Sequence, residues 1–165
     1  MKRLLSILFI MMSLSVSSVS CGTDEPIVEA GQPETPDDNN NNDNNNPTMS
    51  NHLKITVGTA SFSVALENNA AATAFKALLP MTVNMSELNG NEKYYYLSGS
   101  LPTASVHPGT IGAGDLMLYG SSCLVLFYET FSTSYNYTRL GRMSDASGLA
   151  AALGAGNVSV TFEIQ

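Results

Sequence analysis

The stretch GDLMLYGSSCLVLFYETF, residues 114–131, decides how this chain folds. Two runs of strand-forming residues flank Gly120-Ser121-Ser122, so the stretch reads as a hairpin. A strand with one wet face alternates apolar and polar side chains. Here Leu116 to Tyr119 and Cys123 to Tyr128 are apolar almost throughout, so each strand is covered on both faces. A closed barrel supplies the first dry face in its interior. The second arises wherever a helix or loop lies over the outer wall. Alternation puts Cys123, Val125 and Phe127 on one face and Leu124, Leu126 and Tyr128 on the other. Glu129 and Thr130 mark the return to water.

The flanking segments extend the barrel. LKITVGTASFSVAL, from Leu53, holds two alternating runs about Gly58 and predicts a second hairpin. In NNAAATAFKALLP the residues Ala71, Ala74, Phe75, Leu78 and Leu79 share one helical face, Asn68 or Asn69 caps the start, and Pro80 ends it. MTVNMSEL alternates through Met81, Val83 and Met85. Residues 89–114 are rich in Gly, Pro and Ser and read as irregular apart from a strand at Tyr94–Leu97. NYTRLGRM predicts a strand, SDASGLAAALGAG a short helix stopped by Gly154, and NVSVTFEI a last strand with Val158, Val160, Phe162 and Ile164 on one face. The expected fold is mostly β: a closed antiparallel β-barrel of seven or eight strands, with two short helices covering its ends.

The chain of 165 residues divides into three expected parts. Residues 1–20 have the layout of a secretory signal: Lys2 and Arg3, an apolar run from Leu4 to Leu14, then small residues. That run is too short to span a bilayer, which takes roughly 20 residues. Ser18-Val19-Ser20-Cys21 resembles a bacterial lipobox, with Ser18 where Leu or Val is usual, and so predicts a lipid on Cys21. The other reading is an ordinary cleaved signal beside an incidental cysteine. Residues 21–50 form an expected disordered tether, because a tract of Asn, Pro and acids buries too little surface to offset its ordering entropy. As a flexible coil it reaches roughly 30 Å. Asp24 and Glu25 resemble the acidic signals that route some lipoproteins to the outer face of the outer membrane. The expected location is therefore the cell envelope, with membrane contact through the lipid alone. Residues 51–165 form the folded domain.

Net charge is −7, and seven of the fourteen acids lie between Gly22 and Thr48. The remainder is nearly balanced and has no basic footprint, which argues against nucleic acid. His52 and His107 lack clustered Cys or acidic partners, so no metal site is expected, and no cofactor motif is complete. Cys123 lies in the apolar hairpin, where a thiol most often serves as a small buried hydrophobe.

The segments LPMTVNMSELNGNEKYYYL, LPTASVHPGTIGAGDLMLYGSSCLVLFYETFSTSYNYTRLGRM and GLAAALGAGNVSVTF resemble the small bacterial cyclophilin-like domains, over about residues 52–165. The resemblance implies a closed barrel with helices at its ends. Cyclophilins isomerise X-Pro bonds using an Arg in a Phe-His-Arg string, with a Gln-Gly-Gly-Asp string nearby. Neither is present, and only Gly114-Asp115 matches the second, so no catalytic residue carries over.

What remains is a set of candidate ligand-binding residues drawn from the family-like stretches: Glu92, Tyr96, Phe127, Tyr128 and Arg139. Tyr94-Tyr95-Tyr96 with Tyr135 and Tyr137 offers an aromatic platform, although strand propensity explains the same residues. Arg139 and Arg142 suit a carboxylate or carbonyl, or else are solvated charges on a surface strand. Glu92 and Lys93 read as loop residues before the tyrosines, suited to pair with each other or with a ligand. Two functions of different class follow: a non-enzymatic envelope lipoprotein that binds a peptide or small ligand, and a diverged peptidyl-prolyl cis-trans isomerase.

Overall fold

A computed structural model describes residues 50–165; the signal segment, Cys21 and nearly all of the tether lie outside the described residues. The strands are β1 (His52–Val57), β2 (Ala60–Leu66), β3 (Met81–Leu88), β4 (Glu92–Tyr96), β5 (Thr110–Ile111), β6 (Asp115–Tyr119), β7 (Cys123–Phe127), β8 (Phe131–Ser132), β9 (Thr138–Met143) and β10 (Val158–Ile164). The helices are α1 (Ala70–Lys76) and α2 (Leu149–Leu153). Eight strands close an antiparallel barrel in the order β1-β10-β3-β4-β7-β6-β9-β2, and β5 and β8 pair separately. The first of these lies where composition suggested irregular chain and the second just past the apolar hairpin; two-residue strands are too short to leave a pattern of alternation.

The two faces of the β6–β7 hairpin are both dry, for different reasons. Leu116, Leu118, Leu124 and Leu126 point inward to a core shared with Leu53, Ile55, Met85, Leu140 and Phe162. Met117, Cys123, Val125 and Phe127 point outward into a second cluster closed by Ile111 of β5 and Tyr137, with Phe131 of β8 packed against it. The cover is thus a folded-over loop rather than a helix. Each fully buried Leu or Phe stabilises the fold by about 1.5–3 kcal/mol.

Both helices send apolar side chains into the interior of a closed wall, so each enters through an opening. Phe75 of α1 meets Phe162 edge-on at 6.0 Å, near the end of β10, and Asn69 donates to the Arg139 carbonyl near the start of β9. The α2 helix follows the end of β9 and precedes the start of β10, so it plugs the opposite end through Leu149 and Leu153. The side chain of Asn69 caps α1 by accepting from the Ala72 amide at 2.8 Å. The helix expected to run on through Leu78 and Leu79 stops earlier: α1 ends at Lys76, ahead of the turn into Pro80, and Leu78 is exposed while Leu79 still packs against the core.

A bulge in β9 sets Leu116 opposite Gly141 and Met117 opposite Arg139, skipping Leu140. A Cβ at position 141 would lie 2.7 Å from the Ala65 carbonyl and 2.7 Å from the Val64 side chain, so only glycine fits.

Candidate functional site

Strand alternation in β4 decides the site. Tyr94 packs with the outer cluster and Tyr95 with the interior, so Glu92, Tyr94 and Tyr96 face outward while Lys93 and Tyr95 face inward. The expectation that Glu92 and Lys93 lie in a loop is corrected here. They are consecutive residues of one strand and leave it on opposite sides.

On the outer side lies a cleft of about 500 Å³. Its floor is Tyr94, Cys123 and Val125, from β4 and β7. Leu88, Asn89 and Asn91 of the β3–β4 turn form one wall, and residues 131–135 with Tyr137 form the other. Asn89 and Gly90 both have positive φ, 57° and 71°, as a tight hairpin turn requires. Five tyrosines line the cleft: Tyr94, Tyr96, Tyr119, Tyr135 and Tyr137. Their rings meet mostly at steep angles, 77° for Tyr94–Tyr96 and 88° for Tyr119–Tyr135, so they stand as walls rather than as one flat platform.

Among the described residues, Glu92 is the only charged one lining the cleft. It is 8% exposed and has no hydrogen-bond or ion-pair partner among the described residues. Burial pushes its carboxyl above the ordinary range, and the charge of Glu87 adds to the effect. Burial, then the charge of Glu92, pushes the Tyr137 phenol up to about 12. Burial and Glu92 likewise raise the Cys123 thiol, against a smaller opposing contribution from the Tyr96 hydroxyl. Cys123 is therefore a neutral thiol at neutral pH.

A second, shallower hollow of about 430 Å³ lies beside α2, lined by Glu87, Gly90, Tyr128 and residues 150–155. Its polar groups are mutually satisfied. The Nζ of Lys93 donates to the Gly154 and Gly156 carbonyls at 2.7 Å each and to Glu87 Oε2, and it lies 5.4 Å from the Tyr128 ring centre. The Tyr128 hydroxyl donates to Glu87 Oε1 at 2.8 Å, and burial with this bond pushes that phenol up to about 12.

The arginines of β9 serve neither hollow. Arg142 Nε lies 3.1 Å from Oδ1 of Asp115, and Arg139 Nη1 lies 3.9 Å from Oδ2. Asp115 is buried, its Oδ2 accepts from the Gly112 amide at 2.8 Å, and its Oδ1 has charge proximity to Arg142 without an aligned hydrogen bond. The Arg142 guanidinium covers Gly112 so closely that a Cβ there would collide with it.

The five candidate residues are therefore divided. Glu92 and Tyr96 line the cleft. Phe127 lies under it, packed on Phe131 at 5.7 Å and Tyr137 at 5.5 Å. Tyr128, the next residue, turns to the α2 side, and Arg139 sits with Asp115. Cys123, Tyr119 and the 132–134 segment line the cleft without having been singled out. Alternation along β7 carries the signal for Cys123, since it shares a face with Val125 and Phe127. Among the described residues no three His, Cys, Asp or Glu side chains converge as metal ligands.

The sequence profile of the Cyclophilin-like family matches residues 55–163, from β1 through β10 and including every cleft-lining segment. The chain belongs to the cyclophilin-like family. Among solved structures, the solution structure of a hypothetical protein from Archaeoglobus fulgidus matches with a TM-score of 0.51 at 18% identity, covering 71% of this chain and 96% of that one. At that identity it speaks to the cyclophilin-like fold alone. No curated protein matches the chain.

Proposed function

We propose that this cyclophilin-like protein is an envelope lipoprotein, held to the membrane by a lipid on Cys21 and a flexible tether, whose barrel binds a peptide or small ligand in the tyrosine-lined cleft without catalysing a reaction on it. The observation that carries the binding function is the cleft itself: about 500 Å³, five tyrosines, and a buried carboxyl without a partner among the described residues. The N-terminal order of basic residues, apolar run, small residues and Cys21 supports the anchoring.

A prolyl isomerase needs a donor held against the proline amide, better matched to the twisted state than to the planar one. Arg139 and Arg142 are both engaged with Asp115, which supports binding without isomerisation. The test is an X-Pro peptide turnover assay with micromolar protein, beside Arg139→Ala and Arg142→Ala. The expected result is no acceleration by any of the three. Acceleration lost in either variant would replace this function with the isomerase. A Cys21→Ala chain is expected to leave the detergent phase; continued partitioning would remove the lipid anchor.

A further inference from the structure

Glu92 is an anomaly that the binding function does not by itself explain. A carboxyl that is 8% exposed ordinarily has a cation or several donors against it. Its neighbour Lys93, fully buried, has three acceptors for its three protons. Glu92 has no partner among the described residues, yet it opens on a cleft with room for one. Among the described residues no lysine, arginine or histidine lines that cleft. The oxygens of Glu92 are not among the fully buried unpartnered atoms, so they open on the cleft, and a partner can reach them by the same opening.

The aromatic walls specify its chemistry. The face of a tyrosine ring carries negative charge and attracts a cation within about 6 Å. A sugar or planar ligand asks for a flat face to stack on, whereas Tyr94–Tyr96 and Tyr119–Tyr135 meet close to perpendicular. Rings so arranged enclose a compact group and offer it several faces. Tyr96 and Tyr135 are 64% and 61% exposed, so they form the rim; Tyr137 and Glu92 are buried and form the base.

We propose that the cleft is a cation-recognition site, in which Glu92 is the counter-ion and the tyrosines form a cage for an ammonium or guanidinium group carried by a peptide side chain or a small amine. This rests on the cleft being the ligand site. Charge attraction and cation–π contact act together, and both strengthen because the base of the site is desolvated.

The test titrates the full chain with N-acetyl-lysine methylamide, N-acetyl-arginine methylamide, butylammonium and tetramethylammonium. The neutral N-acetyl-norleucine methylamide serves as shape control and a methyl glucoside as the sugar probe. Amide chemical shifts locate the binding. Cationic probes are expected to perturb Tyr96, Cys123 and Tyr137 and to bind roughly tenfold more tightly than norleucine. Glu92→Gln is expected to remove that preference, and Tyr96→Ala and Tyr135→Ala to weaken binding by roughly two- to fivefold each. Both tyrosines are exposed, so their loss leaves the fold intact. Lysine and arginine derivatives outbinding butylammonium would assign a peptide side chain; the reverse would assign a small amine. Norleucine binding as tightly as lysine, with both reduced in Tyr96→Ala, would overturn the cation site while keeping the cleft as a ligand site. Glucoside binding unaffected by Glu92→Gln, with the cations silent, would do the same. No shift in the cleft with any probe would remove both.

Discussion

Replacing Lys93 by methionine removes a charge that water does not reach. Its side chain is 0% exposed, and Nζ serves Glu87 and the carbonyls of Gly154 and Gly156, which follow α2. The methionine keeps most of the length and apolar volume, so the loss is chiefly electrostatic. Breaking a buried ion pair by removing one partner typically costs about 3–5 kcal/mol. Here both carbonyls lie on exposed glycines and Glu87 retains 21% side-chain exposure, so water replaces part of what is lost. Glu87 also keeps its bonds from the Tyr128 hydroxyl and the Gly90 amide. The expected cost is therefore at the low end, about 3 kcal/mol, or a fall of roughly 10–15 °C in melting temperature for a domain of this size. The pH dependence has a definite sign. Burial raises the Glu87 carboxyl, but the bonds from Lys93, Tyr128 and Gly90 outweigh it and hold the group below the ordinary carboxylate range. The contribution of the pair is complete above the ordinary carboxylate pKa and disappears as pH falls through the lowered value. Urea unfolding of wild type, Lys93→Met, Glu87→Gln and the double variant measures it. A cost under about 1 kcal/mol at neutral pH, or a gap that does not narrow once Glu87 is protonated, would refute the assignment of Lys93 as a buried charge satisfied in part by Glu87.

Three further outcomes are expected. Glu92→Gln should raise stability at neutral pH: the carboxyl of Glu92 is shifted upward, so the stability linked to its protonated form is full below the ordinary carboxylate pKa and lost as pH rises through the folded value. Denaturant midpoints of variant and wild type should coincide in acid and separate on raising pH, and a destabilised variant at neutral pH would count against the unpaired carboxyl. Cys123 in a Cys21→Ala chain should resist a thiol reagent until denaturant is added, because the thiol is buried and shifted upward; rapid native labelling would contradict this. Gly141→Ala should cost at least about 1–3 kcal/mol, since its Cβ would strike the Ala65 carbonyl and Val64 at 2.7 Å, and a melting curve unchanged from wild type would show that β2 and β9 give way.

The barrel was legible because its determinants are periodic. The two-sided apolar pattern of residues 116–127 demanded a covered outer wall, and Met117, Cys123, Val125 and Phe127 have one in Ile111, Phe131 and Tyr137. The cover was not legible: β5 and β8 have two residues each and are held by register with a distant segment, which no local pattern encodes. The site was half legible. Glu92 and Tyr96 are two residues from Tyr94 on either side, and period two alone would have grouped them on one face and set Lys93 on the other. Placing Glu92 and Lys93 in a loop removed that constraint. Tyr128 and Arg139 were drawn in by residue type and by lying in the family-like stretches; the actual partners of each, Glu87 and Asp115, lie far off in sequence.

Glu92 and Lys93 are adjacent in one strand, buried to a similar degree, and opposite in fate. Lys93 faces a region where two carbonyls and a carboxylate converge, and every proton on its amine is accounted for. Such a group is explained by the fold: it ties β3, β4 and the chain after α2 together at one end of the barrel. Glu92 faces rings, a neutral thiol and open space, and nothing among the described residues compensates its charge. A fold selected for stability alone would place a Gln or a Leu there. An unpaired acid at a destabilising position is what the proposed cation site calls for, because the free energy withheld in the empty state would be released when a cation enters. The same reasoning separates the two hollows. The one beside α2 has its charges already neutralised and offers a ligand little, whereas the tyrosine cleft holds an unpaired carboxyl, the feature on which the proposed cation site rests.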